Sequence, residues 1–99
     1  MTTETVPKKL RNAAKVYEER NKLYKDNYKR HGDVMEALFP VGIALNDPDT
    51  HNRFAVFTQI VAKVTRIAAN FEQGGHSDSN MDLSVYAQML DELDDDSSR

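Results

Sequence analysis

Between Arg53 and Phe71 the apolar residues Phe54, Phe57, Ile60, Val61, Val64, Ile67, Ala68 and Phe71 recur at intervals of three and four. That period collects them on one face of an α-helix of about five turns, whereas a strand would alternate its faces at every residue. A single apolar stripe of this length has to be covered, so the segment demands partner helices. Gly74–Gly75 is a stop signal. The chain then passes through a polar corner, GGHSDSNMD, and returns to helical spacing with Leu83, Tyr86, Met89, Leu90 and Leu93. Ser79-x-x-Asp82 has the form of a capping box with Asp in the usual Glu place, which puts the start of this last helix near Ser79.

Taken in order, residues 1–6 read as a loose tail, and Pro7 suits a first helical position. From Lys8 to His31 there is neither Gly nor Pro and strong helix formers dominate, which predicts one long helix. Leu10, Ala14, Tyr17, Tyr24 and Tyr28 share one of its faces, with Asn21 in their midst. Gly32 is the expected C-terminal stop and Asp33 the cap of a short helix over 34–39 that Pro40 ends. PVGIALNDPD reads as a packed loop or irregular turn, and Asp49 or Thr50 as the cap of the Phe54–Phe71 helix. The tail DDDSSR reads as frayed. The expected fold is an all-α, small antiparallel helical bundle with two long helices, one medium and one short, occupying residues 7–93, with an acidic disordered tail over 94–99.

With 99 residues the chain has room for one modest core. It has no cysteine, which excludes disulfides, thiolate metal sites and a cysteine nucleophile and fits a reducing cytoplasm. No apolar run approaches the length of a membrane span. A core this small, without staples, often borrows stability from a second copy, so a homo-oligomer is expected. The net charge of −3 is unevenly spread, because residues 1–32 carry nine Lys/Arg against four acids. Such a surface can meet phosphates, or an acidic surface within the monomer or across a dimer.

Helical spacing also shows which polar residues are out of place. Asp82 falls near the centre of the last helix's apolar arc, where a carboxylate has to be paired, metal-bound or protonated, or else serves the helix start. Lys63 lies at the edge of the apolar stripe, and Gln59, Arg66 and Asn70 share its flank. That row is cationic and amide only, a suitable lining for phosphate, although lysine stems also cover apolar surface on solvated faces. His76, Asp78 and Asp82 lie within seven residues of one another. Two carboxylates close to a phosphate row could hold Mg²⁺, and His76 could be an acid/base group or a plain loop histidine. Tyr24, Tyr28 and Tyr86 could stack a base or bond a ribose, though tyrosines at helical spacing are more often core. Asn21 is a satisfied core amide or a ligand contact. Gly-x-Ser-x-Gly, His-Glu-x-x-His and P-loop motifs are absent.

The run Tyr24–Tyr28 (YKDNY), Gly32, LFP at 38–40, Lys63-Val-Thr-Arg66 and GGHSDSNMDLSVYAQML resembles a family of short phage-encoded proteins of unknown function. That family is similar to a nucleotide-modification-associated domain and, more distantly, to the all-α NTP pyrophosphatases that include MazG-like proteins. The resemblance covers roughly residues 17–93 and is most specific at Lys63 with Arg66 and at Asp78…Asp82…Tyr86. It implies a helical oligomer in the cytoplasm of an infected bacterium that cleaves nucleoside triphosphates with Mg²⁺. The sequence departs from the MazG pattern of Glu-x-x-Glu on one helix and Glu-x-x-Asp on another. Glu18 and Glu19 are adjacent here, and the acids at the start of the last helix are Asp78 and Asp82.

The resulting expectation is a phage nucleotide-handling protein that binds a nucleotide or nucleotide-derived signal and either hydrolyses or sequesters it. Lys63 and Arg66 would meet phosphates, with His76 and Asn21 nearby. Tyr24, Tyr28 or Tyr86 would meet the base, and Asp78 with Asp82 would hold any Mg²⁺. Two other classes fit the same residues: a non-enzymatic anti-defence protein that blocks a host protein through its acidic tail, and a structural subunit in which Lys63 and Asp82 pair across the bundle.

Overall fold

The structure, a computed structural model, describes residues 5–24 and 26–97, with Leu23, Tyr24, Asn27 and Ser97 described by backbone alone. The fold is all-α. The order is α1 (Val6–Tyr24), α2 (Asn27–Leu38), α3 (Pro48–Ala69), a 3₁₀ turn (Phe71–Gln73) and α4 (Ser77–Ser97), with no strand among the described residues. None of these helices is long and apolar enough to cross a membrane.

The α3–α4 pair is the centre of the molecule and by far its most extensive helix contact. Asp47, two to three residues earlier than the sequence suggests, caps α3: its Oδ1 accepts the Thr50 N–H at 2.8 Å, and Pro48 takes the first helical turn. The capping N–H groups lower the Asp47 pKa, because they favour the ionised carboxylate. At the other end Asn70 is buried, its side-chain amide donating to the Arg66 carbonyl at 3.0 Å while its own carbonyl accepts from Gly75 at 2.7 Å. Gly74 and Gly75 hold φ of 100° and 85°, left-handed values that a side chain would strain, so the double glycine is what lets α4 reverse onto α3. Two ion pairs mark the antiparallel register, Arg53–Asp94 at 2.8 Å and Lys63–Asp82 at 3.2 Å. The acidic end of α4 opposes its own helix dipole. Arg53 offsets that, and α4 stays helical through Ser97 where a frayed tail was expected.

The first half of the chain departs most from expectation. The single helix over 8–31 is two helices. Asp26 adopts φ 58°, ψ 30°, and α2 begins directly after it. A non-glycine residue in that region needs outside support. Asn21 supplies it: its amide donates to Asp26 Oδ1 and its carbonyl accepts the Asp26 N–H, both at 2.8 Å. Asn21 is therefore the clasp of the α1–α2 corner, which explains a polar residue within a tyrosine stripe. Gly32 does not stop a helix and Asp33 does not cap one; both lie inside α2, which absorbs the short helix expected over 34–39. Phe39, just past its end, meets Phe54 and Phe57 of α3 edge to face, with centroids 5.8 and 5.5 Å apart.

α2 packs on α3, but α1 touches α3 only lightly. The radius of gyration is 17.2 Å, where a compact chain of this length would have about 13 Å. Among the described residues Val61 and Ala69 are the hydrophobic residues buried in the core, while Val6, Leu10, Met81, Val85 and Met89 are among those left exposed. A single copy thus covers only part of the apolar surface its sequence provides.

Candidate functional site

The residues anticipated as one site fall on two faces of α3. Lys63 turns toward α4. It is 8% exposed, its ammonium lies 3.2 Å from Asp82, and the Tyr86 ring stands 6.0 Å from the same nitrogen. The pairing of Lys63 with Asp82 is the structural alternative raised by the sequence. It explains why an acid sits in the apolar arc of α4: it neutralises a lysine that α3 buries.

His76 is not a solvated loop residue. It stands just ahead of α4, and its Nδ1 accepts from the Ser79 N–H at 3.2 Å and lies 2.6 Å from the Ser79 hydroxyl. The Asn80 N–H donates to the His76 carbonyl at 3.1 Å. The imidazole therefore caps the helix in place of the Ser79-x-x-Asp82 box, and α4 starts at Ser77. Ser79, 1% exposed, is sealed beneath it. Asp78 is exposed in the first turn of α4, one turn before Asp82. Among the described residues no three His, Asp or Glu side chains come together as a metal site.

The other face of α3 forms the floor of a cleft of about 630 Å³ walled by α1 and α2. Arg66 turns into it from α3, Arg20 from α1 and His31 from α2. Tyr17 and Tyr28 supply aromatic edges, with rings 6.1 Å apart at 68° and hydroxyls 3.0 Å apart. The hydrogen bond to Tyr28 leads several influences, burial and the nearby Asp26 among them, that push the Tyr17 pKa up to about 12. Asn21 and Gln59 add amides, while Ala13 and Ala62 keep part of the lining small and apolar. No carboxylate lines the cleft among the described residues. Asp26 stands at its corner, engaged by Asn21 and, at 3.7 Å, by Lys29. A smaller hollow of about 280 Å³ under Phe39 and Phe57 is mostly apolar, and its charged groups, Arg53 and Asp94, neutralise each other.

Of the anticipated ligand residues, then, Asn21, Tyr28 and Arg66 meet in the cleft, while Lys63, His76, Tyr86, Asp78 and Asp82 belong to the α3–α4 side. The Tyr24 side chain lies outside the described residues. Arg20 and His31 were missed. Arg20 was accessible to sequence reasoning, since it sits one turn after Tyr17 on the tyrosine face. His31 was not, because only the bend at Asp26 carries it toward Arg66.

Compared with known proteins, the chain matches no family model, no curated protein and no solved structure.

Proposed function

We propose that this protein binds a nucleotide or nucleotide-derived signal in the cleft between α1, α2 and α3. The observation that carries the proposal is the lining: two guanidiniums and an imidazole converge from three helices, with no carboxylate lining the cleft among the described residues, beside two tyrosines. Arginine forks suit phosphate oxygens, and the tyrosine rings suit a base face. A volume of about 630 Å³ is in the range of small-molecule sites. In this reading Arg20 and Arg66 take phosphates, Tyr17 and Tyr28 take the base or ribose, and Lys63 with Asp82 holds α3 against α4.

The Mg²⁺ expectation fits less well. One of its two carboxylates, Asp82, already balances the Lys63 ammonium. Sequestration is therefore favoured over pyrophosphohydrolysis, and no chemical step is derived through a metal. The same reading, with the resemblance to phage-encoded proteins, has the protein act against host nucleotide signalling as a homo-oligomer in the cytoplasm of an infected cell.

Titration calorimetry against a panel of linear and cyclic nucleotides tests the proposal. A ligand should be found whose affinity falls about 10- to 100-fold in Arg20→Ala and again in Arg66→Ala, the range expected for losing a charge-assisted bond. A panel with no binder, or a binder indifferent to both variants, refutes it.

A further inference from the structure

We propose that α1 of one copy docks along the outer face of α4 of a second copy, antiparallel, and that the contact repeats reciprocally to close a two-fold dimer. This deepens the self-association in the reading above and does not depend on the ligand.

Charge and exposure both lead to it. α1 carries six Lys/Arg and two acids, while α4 carries seven acids and no Lys/Arg. Among the described residues these opposite charges do not meet within one chain. α1 and α4 make no substantial contact, and no Lys/Arg of α1 is in an ion pair among the described residues. Apart from phosphate, this basic surface could meet acids inside the monomer or on a second copy, and among the described residues no Lys/Arg of α1 meets one inside the monomer.

Each helix also presents apolar residues beside its charges. On α1 the stripe begins with Val6 and Leu10, 67% and 65% exposed, between Lys9 and Arg11 on its edges. On α4, Met81, Val85 and Met89 are spaced four apart and exposed, and at about 100° per residue Asp78, Glu92 and Asp96 share their face. At 1.5 Å per residue α1 is about 28 Å long and α4 about 32 Å, so the N-terminal turns of α1, ahead of the cleft-lining Ala13, Tyr17 and Arg20, can lie against the C-terminal turns of α4 and leave the cleft open. Antiparallel packing sets the basic N-terminal turns of α1 against the acidic C-terminal turns of α4 and opposes the two helix dipoles. Because every copy carries both surfaces, a two-fold axis uses both at once.

Light scattering on the purified protein without nucleotide provides the test. The wild type should weigh twice the 11.3 kDa chain. Lys9→Glu/Arg11→Glu and Glu92→Lys/Asp96→Lys should each weaken association about tenfold or more, and a 1:1 mixture of the two should restore the dimer. A monomeric wild type, unchanged mass in both variants, or no rescue on mixing overturns the proposal. If a charge variant does not fold, thiol cross-linking decides instead, since the chain has no cysteine of its own. Leu10→Cys mixed with Met89→Cys should cross-link to each other in preference to themselves, and equal or absent heterodimer formation overturns the proposal. Ligand binding is read separately, so a dimer that binds no nucleotide refutes only the functional reading, and a monomer that binds one refutes only this contact.

Discussion

Breaking the Lys63–Asp82 pair from either side should give unequal costs. The Lys63 side chain is 10% exposed and the Asp82 side chain 50% exposed. Asp82→Asn leaves a nearly enclosed ammonium without its counter-charge, which should cost about 1–2 kcal/mol, below the value for a fully buried pair because the lysine can still reach toward water. Lys63→Met keeps the packed stem and leaves a carboxylate that water already reaches, at a cost under about 1 kcal/mol. Lys63→Met with Asp82→Leu removes both charges and should return close to wild type. For a chain of this size the Asp82→Asn loss corresponds to a fall in Tm of roughly 5–15 °C, readable by thermal circular dichroism. Equal and additive losses in the two single variants would show that the groups are not coupled and that the 3.2 Å contact contributes nothing. The double variant also separates the two faces of α3. It should retain nucleotide binding, and loss of binding with the fold intact would return the phosphate site to Lys63.

Gly32→Ala should stabilise the protein by about 0.5–1 kcal/mol, because Gly32 is inside α2 and a Cβ there meets nothing within 4 Å; a lower Tm would mean the helix does end there. His76→Ala should cost about 1 kcal/mol as a lost cap, while His76→Asn, whose side-chain oxygen can accept the Ser79 N–H, should recover most of it; equal losses would assign the residue another role. Tyr17 fixes a pH dependence. Its pKa is raised in the folded state, so its contribution is fully present below the unfolded value near 10 and is lost as pH climbs toward about 12. Tyrosinate absorbance should show a late step near pH 12, and Tyr28→Phe should bring that step down toward 10; a profile without the late step would contradict the hydroxyl contact.

α3 and α4 were legible in the residues because a period of three to four apolar positions over five turns, followed by Gly74–Gly75, admits only a helical pair folded back on itself. The misplaced polar residues Lys63, Asp82 and Asn21 were legible as anomalies, and each proved to be satisfied by a partner. Which partner was a tertiary matter. Asn21 reaches Asp26 across a bend that carries no Gly or Pro signal, and the left-handed Asp26 exists because that amide supports it. Gly32 misled because a glycine after a helical run resembles a stop, whereas packing on α3 carries α2 through it. The cleft was hidden for the same reason: Arg20, His31 and Arg66 are far apart in sequence, and only the turn at Asp26 brings their helices around one space. Local periodicity thus determines which segments are helices and which faces are apolar, since it depends on neighbours a few residues away. Where helices bend, which charges cancel and which converge depend on contacts between distant residues, and those the three-dimensional fold alone decides.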